Sequence, residues 1–240
     1  MNLLQMLSFG ETGWGMALLK AAGTTLLLTL AALLIGALIG GVIAAAKLSR
    51  RRVFRGLGDL YSILFRGIPE LLVIYLFYFG GATVVSAVGH WFGADGYIDV
   101  PPFLVGAIAV GLISASYQAE VYRGAFIAVP KGELEAALAI GMTKAMRIRR
   151  VLIPQIMRYA LPGLGNVMQM SLKDSALISV IGLVELMRAS QVAAGSTRQY
   201  FTFYIVGGAL YLVLTGLSGR IFNIAEARVR RTQRRSPTQS

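Results

Sequence analysis

The chain has 240 residues, 56% of them hydrophobic and only 14% charged, with a mean hydropathy of +0.66; a soluble domain carries roughly 25% charged residues. The absence of cysteine and the presence of a single histidine, His90, in a polar connection exclude disulfides, thiolate chemistry and a His/Cys metal centre. A net charge of +12 raises the question of nucleic acid, but the basic residues stand in blocks between apolar segments, the pattern of membrane-span flanks.

The first element, 18–46, decides the class. Residues 21–46 contain no charged side chain, and at about 1.5 Å per helical residue they exceed the roughly 30 Å hydrocarbon core. Residues 1–19 lack Lys and Arg, whereas a cleaved secretory leader begins with a basic region, so the segment reads as a retained span. A basic connection follows, with Lys47, Arg50, Arg51, Arg52 and Arg55.

The second span, 58–81, contains Arg66 and Glu70, four residues apart on one helix face. Counting from Asp59, a continuous helix places Glu70 roughly 16 Å in, near mid-bilayer. Pro69 removes a backbone hydrogen bond there and bends or interrupts the helix. Ionisable groups at that depth are costly and mark function by default. Two readings stay open: an Arg66–Glu70 pair that only neutralises itself, or a Glu70 that meets a cationic substrate.

The third span, 103–122, begins at the Pro101-Pro102 pair, which suits a helix start. The connection 123–154 is longer than a hairpin needs. Pro130 and Gly132 mark a turn, residues 133–140 read as a short Ala/Leu-rich helix with Glu133 and Glu135 in its first turn, and Gly141 interrupts it. The small Ala136, Ala137 and Gly141 allow another surface to approach closely; a solvated amphipathic helix is the alternative.

The fourth span, 155–181, is the most polar. Asn166, Gln169 and Lys173 share a stripe, Asp174 points about 100° away, and Pro162 predicts a kink. Asn166, Gln169 and Asp174 join Glu70 as candidates for a translocation path, with helix–helix hydrogen bonding the alternative for each amide. Arg66, Glu120, Arg123 and Lys173 are read as charge-pairing residues. The fifth span, 201–222, is clear, and a basic tail occupies 223–240. The result is a single all-α membrane domain over residues 1–240, without repeats.

Basic residues fix the expected orientation. Eighteen of the 23 Lys and Arg lie in the first connection, the third connection and the C-terminal end, while Asp95 and Asp99 occupy a connection without any. The positive-inside rule then puts the N-terminus in the periplasm and the C-terminus in the cytoplasm, across about five spans.

The run EAALAIGMTKAMRIRRVLIP carries a sharper signal. Glu135, Ala136, Ala137, Gly141 and Pro154 fall at the positions of E-A-A-x3-G-x9-I-x-L-P, with Val151 for Ile and Ile153 for Leu. This resembles the EAA loop of ABC-importer permeases. Residues 119–142, FRGIPELL at 65–72 and LKDSALISVIG at 172–182 resemble the polar amino-acid branch, and together the matches cover most of 60–182 in the family's order. The resemblance implies a type I importer fold whose EAA loop is a coupling helix seated on a cytoplasmic ATPase. It also implies the partners: a second permease subunit, the same or a sister chain, two ATPase copies and a periplasmic substrate-binding protein. No cofactor belongs to this chain; ATP and Mg belong to the ATPase, since no G-x-x-x-x-G-K-[ST] loop is present. Nucleic acid is not a partner, and the bacterial inner membrane is the expected location. An acid at Glu70, where the family has an apolar residue, resembles the permeases for histidine, lysine, arginine, ornithine and opines. A secondary transporter or channel is the competing class; it predicts inverted repeats, which are not seen.

Overall fold

The computed structural model describes residues 3–10, 13–93, 96 and 99–233, with side chains between Gln5 and Val229 within those limits. Regular structure among them is helical. After a short turn at Leu3–Met6 the helices are α1 (Gly15–Lys47), α2 (Arg52–Gly67), α3 (Glu70–Trp91), α4 (Pro102–Ala128), α5 (Lys131–Ala139), α6 (Lys144–Ile181), α7 (Leu186–Thr197) and α8 (Tyr200–Gln233). Four of them, α1, α3, α4 and most of α8, are long and apolar enough to cross a membrane. The pair α6 and α7, bent by 51°, makes a broken fifth.

α1 is apolar on every side, and its two faces do different work. Leu27, Leu34, Leu38 and Val42 are exposed, which suits contact with lipid. Gly36 and Gly40 face α4 so closely that a Cβ on Gly36 would meet Gln118 Nε2 at 2.4 Å and one on Gly40 would meet the Ala115 carbonyl at 2.9 Å. Lipid tails are as apolar as leucine, so helices join in a membrane through close van der Waals packing of small residues. Gln118 reinforces the contact by donating to the Leu33 carbonyl and to Ser114 Oγ, both at 3.1 Å.

Two buried clusters hold the bundle. One joins Leu28 and Ala32 of α1 to Ile74, Val110 and Ile178. The other joins Leu18, Ala21 and Ala22 of α1 to Leu186, Ala189 and Ala193 of α7 and Phe203 of α8. Because α1 belongs to both, it clamps the two halves together.

The second expected span is placed differently. The chain is extended at Ile68 and Pro69, so one helix does not run through 58–81. Pro69 lacks an N–H and disfavours helical backbone before it. α2 is amphipathic and carries Arg52, Arg55, Asp59 and Arg66, with Gly58 and Ser62 turned inward. The crossing begins only at Glu70 and extends to Trp91. The depth counted from Asp59 along a continuous helix therefore does not apply. Two further expectations shift. α7 sits where only a connection was expected, and α8 continues to Gln233, so the basic tail starts as helix; residues 234–240 lie outside the described residues.

Candidate functional site

The break between α2 and α3 builds the most polar part of the interior. Glu70 is the first residue of α3, where the unpaired N–H groups and dipole of a helix start favour a carboxylate. Its carboxyl meets that of Asp174 within hydrogen-bonding reach, and Lys173 adds its charge to the same surroundings. Arg66, in the last turn of α2, lies with its guanidinium 5.4 Å from the ring centre of Tyr117 on α4. Tyr117 also feels the charges of Glu70, Arg66 and Asp174, so four elements converge on one cluster. Ion pairs within 4 Å join Lys47 to Asp59 and Glu120, and Glu120 to Arg123; Arg66 and Glu70, both described, do not form one. Arg66 stacks on an aromatic face instead, and Glu70 turns to the other acid.

A second network closes the near end of this region. Lys47, the last residue of α1, has a side chain only 7% exposed and pairs with Asp59 at 3.2 Å. It also donates to Ser62 Oγ at 3.0 Å and to Glu120 Oε1. Arg123 completes the set, donating to Glu120 Oε2 at 3.0 Å. Glu120 and Arg123 are thus a charge pair, and Lys47 ties α1, α2 and α4 at one point. A cavity of about 610 Å³ is lined by Lys47, Asp59, Ser62, Arg66, Tyr117 and Glu120, among others. It connects the two networks.

Asn166 is exposed, and Gln169 lies against α8, its Nε2 3.7 Å from where a Cβ on Gly219 would stand. Neither is among the groups that surround the Glu70–Asp174 contact. Residues 175–181 tighten into a 3-10 turn after Asp174.

The patterned loop forms α5 and the start of α6. Gly141 has φ +80°, a left-handed conformation that favours glycine. Its N–H reaches the Leu138 carbonyl at 2.9 Å, and the Met142 N–H reaches Ala137 at 3.1 Å. Those two bonds are a Schellman cap, which explains why Ala137 and Gly141 stand four apart. Ala137 is buried and Glu133 accepts from Gln155 of α6, which seats α5 on the bundle. Leu138 and Ile140 are exposed, with Glu135 and Ala136 beside them on the open surface. Pro154 lies at the start of the regular α-helical part of α6, directly after a π-turn at Ile148–Leu152.

One functional-looking group escaped the reading of the sequence altogether. Glu185 is fully buried at the bend between α6 and α7. Its carboxylate caps α7, accepting from Met187 N at 2.8 Å and Arg188 N at 2.7 Å, and it accepts from Tyr211 Oη at 2.8 Å. Thr25 stands beside it and accepts from Leu186 N at 3.1 Å. The signal was an acid in a capping position three residues after Gly182. Tyr117 and Lys47 were missed for other reasons, the first for sitting mid-span and the second for ending a basic-flanked segment.

A patterned loop with a capped glycine and spans interrupted by charged residues are the features to set beside known proteins. A family model for the inner membrane component of binding-protein-dependent transport systems matches residues 36–231. The chain belongs to that family. It is 51% identical to the octopine transport system permease protein OccQ of Rhizobium meliloti over 98% of this chain and 99% of that protein. To the histidine/lysine/arginine/ornithine transport system permease protein HisQ of Salmonella typhimurium it is 41% identical, over 90% and 94%. Among solved structures, a crystal structure of an amino acid ABC transporter with histidines superposes with a TM-score of 0.75 at 34% identity, covering 90% of this chain and 95% of that one.

Proposed function

We propose that this chain is the membrane-spanning subunit of an ATP-driven importer in the bacterial inner membrane and that its cargo is a cationic amino acid or an opine. The carrying observation is the contact between the Glu70 and Asp174 carboxyls, beside Arg66 and Tyr117. Two carboxylates in contact repel unless a proton or a cation lies between them. A guanidinium or ammonium group of the cargo relieves that repulsion, and Arg66 is placed to receive the cargo's own carboxylate. The naming of relatives for octopine and for histidine, lysine, arginine and ornithine supports this cargo class.

The chain works with a second permease subunit, two cytoplasmic ATPase copies that hold ATP and Mg, and a periplasmic binding protein. α5 is the coupling helix: the exposed Leu138 and Ile140 give an ATPase groove something apolar to grip. That assignment requires α5 in the cytoplasm, an N-terminus in the periplasm and a C-terminus in the cytoplasm, as the distribution of basic residues supports.

The test is uptake in proteoliposomes containing the full complex. Glu70→Gln spares assembly and basal ATP hydrolysis but lowers arginine uptake at least about tenfold, as expected for roughly 1.5–3 kcal/mol of charge-assisted contact. Glu70→Gln combined with Arg66→Gln does not restore it. Unchanged uptake of cationic amino acids in well-inserted Glu70→Gln protein defeats the proposal, and full recovery in the double variant would assign Glu70 to balancing Arg66 alone.

A further inference from the structure

A second cavity is separate from the polar path. It is an apolar groove of about 750 Å³ between α1, α4 and the first turns of α6, lined by Gly41, Ala44, Leu48, Phe126, Ile153 and Met157 among others. The volume falls in the roughly 300–1,000 Å³ range of sites that enclose an organic ligand. Small residues on α1 open it. A Cβ added at Gly41 would meet nothing within 4 Å, whereas the neighbouring Gly40 is pressed against α4.

The groove is apolar inside, and exposed arginines adjoin its lining residues along the chain. Leu48 lines it, and the exposed Arg50, Arg51 and Arg52 follow within four residues. Ile148 and Leu152 line it on the other side, and the exposed Arg149 and Arg150 lie between them in the chain. Just before Ile148, the buried Arg147 Nε has no hydrogen-bond partner. An apolar slot flanked on two sides by arginines suits a ligand with a hydrocarbon tail and an anionic head. We infer that the groove binds one anionic phospholipid of the cytoplasmic leaflet, its acyl chain against Gly41 and Phe126 and its phosphate among Arg50, Arg149 and Arg150. The leaflet rests on the orientation proposed above; the groove and its charges do not.

Quenching by brominated lipid tests this on the full chain, in symmetric vesicles where orientation has no effect on the signal. The two native tryptophans are replaced by Trp14→Phe and Trp91→Phe, and Phe126→Trp supplies the reporter, with Met157→Trp as a second reporter from the opposite wall. Brominated phosphatidylglycerol should quench the reporter with a binding constant more than about tenfold above that of brominated phosphatidylcholine. Each arginine near a charged surface contributes about fivefold, so Arg149→Gln with Arg150→Gln should abolish most of that preference. Arg50→Gln with Arg51→Gln provides the same test from the other side, and Gly41→Leu should lower quenching by either lipid. Equal quenching by both lipids in the unaltered background would overturn the inference, leaving only the ordinary lipid annulus. Absence of quenching by either would overturn it too, since protein would then cover the groove.

Discussion

Replacing Glu185 by glutamine keeps the shape of the side chain and removes its charge. The carboxylate accepts three hydrogen bonds of 2.7–2.8 Å in a site closed to solvent. An amide retains one acceptor oxygen and presents an NH2 to the remaining donors, so at least one buried N–H or O–H loses its partner, at a cost of about 1–3 kcal/mol. Weakening the cap on α7 adds about 1 kcal/mol. The sum is about 3 kcal/mol, and at about 2–4 °C per kcal/mol for a chain of this size the melting temperature should fall by roughly 6–12 °C. Tyr211→Phe removes one donor and leaves the cap intact, so its fall should be no more than about half as large. Both changes act on one carboxylate, so their effects should not add: in the double variant the phenylalanine removes a donor that the amide could not satisfy. The assay is thermal unfolding of the detergent-purified chain followed by far-ultraviolet circular dichroism. A Glu185→Gln protein with native helicity that melts within about 1 °C of the unaltered chain refutes the reasoning.

Three further outcomes are expected. Gly141→Val forces a β-branched residue into φ +80°, so ATP hydrolysis stimulated by the binding protein should collapse in the reconstituted complex while insertion is kept; Gly141→Asn should be milder, because asparagine tolerates that conformation. Gly40→Val should lower the melting temperature by the equivalent of about 1–3 kcal/mol, since its Cβ meets backbone at 2.9 Å, whereas Gly41→Val should melt like the unaltered chain. A cysteine replacing Phe92, which is exposed after α3, should react with an impermeant maleimide from the periplasmic side, and one replacing Leu138 should not; the reverse pattern inverts the proposed orientation.

Hydropathy located α1, α4 and α8 well, because a long charge-free run has few alternatives in a bilayer. It misplaced the second crossing because only Ile68 and Pro69 separate α2 from α3, and the apolar face of an amphipathic helix adds to the same running average. α7 was invisible for the opposite reason. Twelve residues with Arg188, Ser190 and Gln191 among them look like a connection until Glu185 and the cluster around Phe203 hold them. The stop at Gly141 was legible, since a left-handed cap favours glycine, although the helix before it begins at Lys131 rather than at Glu133. Glu70 and Asp174 were each chosen as charges out of place, but nothing in a linear pattern says that residues 104 positions apart will touch. The stripe argument grouped Lys173 with Asn166 and Gln169 and turned Asp174 away from them, whereas folding sets Asp174 against the helix that begins at Glu70.

The link between α2 and α3 has a mechanical side. Ile68 closes α2 by donating to the Leu64 carbonyl, and the Pro69 carbonyl opens α3 by accepting from Leu72 and Val73. Among the described residues no backbone hydrogen bond bridges that step, and Pro69 has no N–H to leave stranded. The two rods can therefore swing about the joint without unzipping either one. Glu70 is the first residue past the joint, so its carboxyl has a short lever arm, and only a swing of tens of degrees would draw it out of reach of Asp174; small rocking of the rods leaves the proposed cation grip intact.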